Sequence, residues 1–176
     1  MAALAQATFP VFLLLLLSAA IAFVDGSSVD PSGEKFTHVH FYFHETRSGP
    51  NTTVANYKNL TSTPSFAYIG VFDNYLREGT DPSSTLLGRA QGVGVFAMPD
   101  GRSGLLTATE FVFTAGKYNG STLTMMGMYA AAGEVDRSII GGSGRFRMAR
   151  GYSLSKVISI DDLRLVAKFD LYVKHY

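Results

Sequence analysis

The chain has 176 residues and a formal net charge of +1, with charged side chains at 16% of positions and hydrophobic ones at 47%. No stretch concentrates Lys or Arg, so the sequence lacks the basic patch expected of a protein that binds nucleic acid or an anionic membrane surface. The complete absence of cysteine excludes disulfides, thiolate metal sites and thiol nucleophiles.

The chain begins with an uncharged, leucine-rich segment. No charged side chain occurs from Met1 to Val24, and the apolar run ends in Ala20-Ile21-Ala22, which is typical of a signal-peptide cleavage site. We therefore expect residues 1–22 to be a cleaved signal peptide and residues 23–36 to be a mobile mature N-terminus. The run is shorter than the roughly 20 residues of a membrane-spanning helix, and no second run follows. A secreted, extracellular and soluble mature chain is the expectation.

Three triplets have the pattern that accepts an N-linked glycan in an exported protein. They begin at Asn51, Asn59 and Asn119, and none has proline in the middle. We predict that these asparagines lie on the surface and that the mature protein is a glycoprotein.

The rest of the chain predicts a single all-β domain over residues 37–176. Apolar and polar residues alternate from Leu163 to Lys174, the period of a half-buried strand, and the same pattern recurs from Leu105 to Phe113. Further strands are predicted at the following segments: His38–His44, Phe66–Phe72, Val93–Met98, Leu123–Tyr129 and Phe146–Leu154. Residues 49–64 are polar and predict a long first loop. Many short strands without a helical period indicate a sandwich or a closed barrel.

Glycines inside the predicted strands favour the barrel, because strongly bent strands need relief from Cβ crowding. They are Gly70, Gly88, Gly92, Gly94, Gly116, Gly127 and Gly151.

The first predicted strand carries the candidate chemistry. His38, His40 and His44 share one face of this strand and could offer imidazoles to a metal. Side chains two residues apart on a strand diverge, however, and no acid is seen on that face. A polar outer edge is therefore the better interpretation, and we predict no metal or cofactor. Glu45 alternates in step with the apolar residues Val39, Phe41 and Phe43, so it should lie on the apolar face of this strand. A buried carboxylate has a raised pKa suited to proton transfer, so Glu45 is a candidate catalytic residue.

An ordered set of motifs from about His38 to the C-terminus resembles the plant dirigent protein family. The segments are His40–Glu45, Val71–Asn74, Leu76–Gly79, Gly88–Gly92, Phe113–Thr114, Tyr118–Leu123, Ile140–Gly144 and Met148–Tyr152, with Phe146. Each motif alone is weak, whereas the set in this order is specific.

This resemblance implies an eight-stranded antiparallel β-barrel of the allene oxide cyclase-like type, secretion to the apoplast, glycosylation and a homo-oligomer, either a dimer or a trimer. It also implies stereoselective coupling of phenoxy radicals from monolignols such as coniferyl alcohol into lignans in phenylpropanoid metabolism. A separate oxidase or laccase would supply the radicals, and the protein would have no oxidative centre of its own.

The resemblance also places candidate site residues. Glu45 stands where lignan-forming relatives have Asp, and Gly94 and Phe96 stand where they have two tyrosines. Their Arg before the Gly-Gly turn aligns with Val135. Asp136 and Arg137 lie close by in a register that is not the family's, and Asp136 is a second candidate acid. Alternation predicts that a set of aromatic residues faces the barrel interior and binds the phenolic substrate. They are Phe41, Phe43, Phe96, Phe111 and Phe169.

Two further functions remain open on the same barrel. One is an enzyme that dehydrates or cyclises phenolic substrates such as isoflavanols, with Glu45 or Asp136 moving a proton. The other is a non-catalytic secreted protein that holds a small ligand in plant defence.

Overall fold

The computed structural model describes residues 33–57, 66–97, 104–130 and 133–176. Nine strands cover most of these residues. They are β1 (Lys35–Thr46), β2 (Val54–Tyr57), β3 (Ile69–Arg77), β4 (Leu86–Phe96), β5 (Leu105–Phe113), β6 (Thr122–Tyr129), β7 (Glu134–Ser143), β8 (Arg150–Ile160) and β9 (Arg164–His175). Short 3₁₀ turns at Gly116–Tyr118 and Gly144–Phe146 connect β5 to β6 and β7 to β8. No helix among the described residues is long and apolar enough to cross a membrane.

Eight of these strands form a closed antiparallel barrel. The hydrogen-bonded order is β1-β9-β8-β7-β6-β5-β4-β3-β2, and a further pairing of β1 with β3 closes the cylinder. The β1–β9 seam runs the full length of both strands, whereas β1 meets β3 only from Tyr42 to His44. Strand β2 pairs with the edge of β3 at one end of the barrel. The predicted eight-stranded antiparallel barrel is confirmed.

One half of the barrel is filled and the other half is hollow. Side chains that alternate inward from the strands build an aromatic and aliphatic core around Phe41, Phe111 and Phe146, all fully buried. The ring centroids of Phe41 and Phe111 lie 5.1 Å apart in an edge-to-face arrangement. Further along the same strands, inward residues such as Glu45, Thr107 and Arg137 surround a cavity instead.

Close approach between β4 and β5 accounts for Gly88 and Gly92 among the predicted barrel glycines. A Cβ at Gly88 would lie 2.0 Å from the carbonyl oxygen of Val112, and one at Gly92 would lie 2.2 Å from that of Ala108. Gly116 is not in a strand, because it begins a 3₁₀ turn with a positive φ of 68°. Crowding between neighbouring strands therefore explains glycine at the first two positions, and turn geometry explains it at the third.

Two strands were not predicted from the sequence, and β3, β4 and β8 were predicted with other limits. Residues 49–64 were expected to be a loop, but Val54–Tyr57 forms β2, because its backbone pairs with β3 in a segment too short to show alternation. Strand β7 has no predicted counterpart, since Arg137 interrupts the apolar residues on its inward face. Its pairing with β6 also shifts register at Thr124 and Met125, which obscures the period.

The outer face of β1 carries His38 and His40, for which the sequence suggested either a metal site or a polar edge. Asp170 of β9 lies between two of them, with its Oδ1 2.9 Å from His38 Nε2 and 2.8 Å from His40 Nδ1. Sequence analysis missed this acid because Asp170 is far from the histidines along the chain and comes next to them only through the pairing of β1 with β9. Burial opposes ionisation of Asp170, but its bonds to Lys168, His40 and His38 lower its pKa to about 2. Within the described ranges, no group of three or more such side chains has the arrangement of a metal site.

His44 differs from the other two histidines although it has the same parity. Its side chain is buried, and its Nε2 donates a hydrogen bond to the carbonyl oxygen of Gly79 at 2.8 Å. Burial is the main cause of its lowered pKa. His44 therefore anchors the loop after β3 next to the short β1–β3 seam.

Candidate functional site

The hollow half of the barrel contains an inner cavity of about 350 Å³. Its walls are largely apolar and include Phe43 and Phe169, whose ring centroids lie 5.7 Å apart. The polar groups among its lining residues include Glu45 from β1, Tyr129 from β6 and Arg137 from β7. An apolar cavity with a few polar groups is the usual form of a small-molecule site.

A second space, the mouth cavity, adjoins the inner cavity and has a volume of about 380 Å³. It lies towards β2 and β3, where Tyr68 and Phe96 pack edge to face at 5.9 Å. The two cavities share four lining residues. They are Glu45, Arg47, Phe72 and Leu105. The carboxylate of Glu45 therefore lies at the junction of the two spaces.

Burial controls the protonation of Glu45. Desolvation raises the pKa of its carboxyl above the usual 4.5, and the charge of Arg47 and a hydrogen bond from Asn74 oppose this rise. Arg47 Nε lies 3.8 Å from Glu45 Oε1, and Asn74 Nδ2 lies 3.5 Å from Oε2, so both contacts are long. The Asn74 side chain is held in turn by the hydroxyl of Thr53. The result is a carboxyl group that binds a proton more readily than an exposed glutamate.

Arg137 extends into the inner cavity from β7 and is only 6% exposed. Its Nη1 donates to the hydroxyl of Thr107 at 3.1 Å and its Nη2 to that of Ser155 at 2.8 Å, while its Nε has no hydrogen-bond partner. Burial lowers its pKa to about 10, opposed by Tyr129. The guanidinium is therefore still a cation at neutral pH.

Aromatic rings flank this cation. The guanidinium carbon of Arg137 lies 5.6 Å from the ring centroid of Tyr129 and 5.4 Å from that of Phe169. Both distances fall within the range of a cation–π interaction. The pKa of the Tyr129 hydroxyl is raised, mainly by burial. The charge of Arg137 acts to lower this pKa, and the charge of Glu45 acts to raise it. The cavity thus places a neutral phenol group of the protein in the electrostatic field of both charged residues.

The structure brings together some of the predicted site residues and separates others. Phe43, Glu45 and Phe169 line the inner cavity, and Phe96 lines the mouth cavity. Phe41 and Phe111 are fully buried in the filled half of the barrel, where they support Phe169 at centroid distances of 5.5 and 5.6 Å.

Asp136 is not brought to this site. It is exposed on β7 between the inward residues Val135 and Arg137, so its side chain has the outward parity of that strand. Strand β7 thus presents the cation of Arg137 to the cavity, whereas the sequence suggested the acid Asp136.

Comparison with known proteins identifies the family. The family model described as "Dirigent-like protein" matches residues 36–174. The chain belongs to the dirigent family. Dirigent protein 1 of Arabidopsis thaliana is 40% identical to this dirigent chain over 148 residues, which cover 81% of this chain and 80% of the relative.

Proteins named for a specific activity are also similar to this dirigent chain. Pterocarpan synthase 1 of Glycyrrhiza echinata is 36% identical over 152 residues, covering 81% of this chain and 80% of the relative. The solved structure of the pterocarpan synthase dirigent protein GePTS1 superposes with a TM-score of 0.75 at 32% identity, covering 81% of this chain and 86% of that one. These similarities support the family and the barrel, and they leave the reaction open.

Sequence analysis did not place Arg137 and Tyr129 of this dirigent chain among the site residues, although both lie near positions where the resemblance puts functional residues of the relatives. Its criterion for inward positions was apolar alternation, and a buried arginine breaks that pattern. The alternation of Val135, Arg137 and Ile139 was the available signal, because Val135 and Ile139 are apolar and fix the parity of the residue between them.

Proposed function

We propose that this dirigent-family chain binds phenolic molecules in its two cavities and directs the stereochemistry with which monolignol phenoxy radicals, such as those of coniferyl alcohol, couple into lignans. The observation that carries this proposal is the junction of two adjoining cavities at Glu45, Phe72 and Leu105. Two rings held in neighbouring spaces meet in one relative pose, which removes competing encounters. A bias of about 1.4 kcal/mol between two poses gives a tenfold selectivity.

The radicals would come from a separate oxidase or laccase. Phenoxy radicals couple with a small intrinsic barrier, so orientation alone decides which faces join. The aromatic side chains of Phe43, Phe72 and Phe169 supply flat surfaces against which such rings can pack.

The test is a coupling reaction with coniferyl alcohol and laccase, with and without the purified protein, followed by chiral chromatography. An excess of one enantiomer in the presence of the protein supports the proposal, and a racemic product in both reactions overturns it. Glu45→Gln should reduce the enantiomeric excess, because it replaces the carboxylate at the junction. Glu78→Gln is the matched control, since Glu78 is exposed in the loop after β3.

A second candidate is dehydration or cyclisation of a phenolic substrate by proton transfer. The raised pKa of Glu45 favours it, because a carboxyl group that keeps its proton can donate it to a leaving hydroxyl. The similarity to proteins named pterocarpan synthases supports an enzyme on this barrel, and isoflavanols are the phenolic substrates to try. Turnover of an isoflavanol without any oxidant, lost in Glu45→Gln and kept in Glu78→Gln, would favour this candidate over radical coupling.

We also propose that the mature protein is secreted to the apoplast, is N-glycosylated and forms a homo-oligomer. Asn51 and Asn119 are exposed, which suits glycan attachment, while Asn59 lies outside the described residues. Exposed apolar side chains such as Phe36, Ile140 and Met148 suit contact between copies. Glycosidase treatment of the secreted protein and light scattering after gel filtration test these properties, and an unglycosylated monomer would contradict them.

A further inference from the structure

The charges that line the inner cavity are unbalanced. Arg47, Arg137 and Lys156 contribute to its wall, and Glu45 is the one carboxylate among its described lining residues. Glu45 has Arg47 as its ion-pair partner. Arg137 forms no ion pair with any acid in the described parts of the chain, and its hydrogen-bond partners are the neutral hydroxyls of Thr107 and Ser155.

A cation buried without an anion is costly to the fold. The 6% exposure of Arg137 means that water does little to offset this cost. Its Nη1 and Nη2 each carry a second N–H besides the one that bonds Thr107 or Ser155, so the guanidinium has donors left for a ligand in the cavity that it lines. A buried cation whose protein partners are all neutral favours an anionic oxygen as its ligand.

The surroundings of Arg137 restrict what carries that oxygen. Phe169 and Tyr129 lie beside the guanidinium, and Phe43 continues the aromatic wall towards Glu45. An aromatic ring fits against these groups. A free phenol is largely protonated near neutral pH, since its pKa is near 10, whereas a carboxylic acid is ionised. The planar guanidinium also matches the two oxygens of a carboxylate better than a single oxygen.

We propose that the inner cavity binds an aromatic carboxylate of the hydroxycinnamate type, with its carboxylate held by Arg137 and its ring packed against Phe43 and Phe169. This inference rests on the proposed function in placing a phenolic ring in the inner cavity. It goes further in naming an acid, rather than the corresponding alcohol, as the preferred ligand.

The test is calorimetric titration of the purified mature protein at pH 7 with ferulate, methyl ferulate and coniferyl alcohol. The three probes share one ring, and only ferulate has a negative charge. Ferulate should bind at least about tenfold more tightly than either neutral probe, as expected for a charge-assisted hydrogen bond in a buried site. Arg137→Met should reduce the ferulate affinity to that of the methyl ester. Arg147→Met, on an exposed arginine outside the cavity, should leave the preference unchanged.

Each outcome has a separate meaning. If ferulate binds wild-type protein no better than methyl ferulate, the inference is wrong while the proposed function stands. If none of the three probes binds, both fail together. A ferulate preference that persists in folded Arg137→Met would also overturn the role of Arg137. The wild-type comparison decides the ligand preference whether or not that variant folds.

Discussion

Arg137 is a residue whose position in the fold costs stability. The two hydroxyls that accept its hydrogen bonds also donate to backbone carbonyls, Thr107 to Gly127 at 3.1 Å and Ser155 to Val135 at 3.5 Å. Removing the guanidinium therefore leaves neither hydroxyl without a partner. Stability and ligand binding place opposite demands on this residue.

Arg137→Met should stabilise the protein without ligand. Replacing a buried, unpaired charge with an apolar side chain of similar length should gain about 1 kcal/mol or more, which corresponds to a rise in Tm of about 2–4 °C for a domain of this size. Calorimetry or circular dichroism measures this change. Arg147→Met, at an exposed site, should change the unfolding free energy by less than about 0.5 kcal/mol. A lower Tm for Arg137→Met would show that the guanidinium stabilises the barrel.

Glu45 should give the protein a characteristic pH dependence. Its raised pKa means that the folded state binds this proton more readily than the unfolded chain, so its contribution to stability falls as pH rises above the ordinary value of 4.5. Glu45→Gln removes this loss. The variant should match wild type near pH 4 and exceed its Tm near pH 7.

The control for this measurement is Glu78→Gln, which changes the same side chain at an exposed position. Its Tm should follow that of wild type at every pH. A Glu45→Gln variant that is less stable than wild type at pH 7 would mean that the contacts with Arg47 and Asn74 outweigh burial.

Residue parity predicted part of the site from sequence. Glu45 shares the parity of Val39, Phe41 and Phe43, so its inward direction followed from strand alternation alone. On β7 the apolar residues Val135 and Ile139 indicate that Arg137 points inward and Asp136 outward, but the bulge against β6 prevents a check of this by counting from the neighbouring strand. The contacts of Glu45 with Asn74 depend on pairing across β1 and β3, which no local pattern encodes.

At the scale of elements, β4 shows why glycine is required at some positions and not at others. A Cβ at Gly88 would meet the backbone oxygen of Val112 at 2.0 Å, and a backbone atom cannot move without shifting β5. At Gly94 the nearest atom is a side-chain methyl of Leu105 at 3.0 Å, which can rotate away. Strand β4 therefore has a rigid half and an adaptable half, and the adaptable half borders the mouth cavity.

Gly88→Ala and Gly94→Ala form a matched pair that tests this difference. Gly88→Ala should destabilise the barrel by about 2 kcal/mol or more through overpacking against backbone. Gly94→Ala should cost clearly less, because Leu105 can adapt. Chemical denaturation measures both changes. Equal losses in the two variants would contradict the close approach of β4 and β5 at Gly88.

Strand prediction succeeded where alternation was long and failed where it was short or interrupted. β5 was predicted with its observed limits, Leu105–Phe113, and β9 within one residue at each end. β2 is four residues long and is defined by its hydrogen bonds to β3 rather than by an apolar face. β8 begins at Arg150, after the buried Phe146 that the sequence pattern had joined to it.

At the scale of the whole molecule, the barrel divides into a packed half and a hollow half. The same strands serve both, since β9 places Leu171 and Val173 in the core and Leu165 and Ala167 against the inner cavity. The packed half gives a chain without cysteine its stability, and the hollow half provides space for a ligand. Strand alternation, glycines within the strands and motif order predicted the barrel, while the division into halves depends on how the inward side chains fill it.

The outer surface provides the main rival location for an aromatic ligand. An outer aromatic row consists of Phe36, His38, Tyr152 and Tyr172 on β1, β8 and β9. The rings of Tyr152 and Tyr172 stack at 4.9 Å, and those of His38 and Tyr172 at 4.8 Å. A flat phenol could stack there without entering the barrel, so the location of the ligand has to be measured directly.

A crystal structure of the protein soaked with coniferyl alcohol tests the central claim most directly. Our account predicts an aromatic ring inside the barrel, against Phe43 and Phe169 and within reach of Glu45. Density for the ring on the outer aromatic row, with the inner and mouth cavities filled only by water, would contradict it.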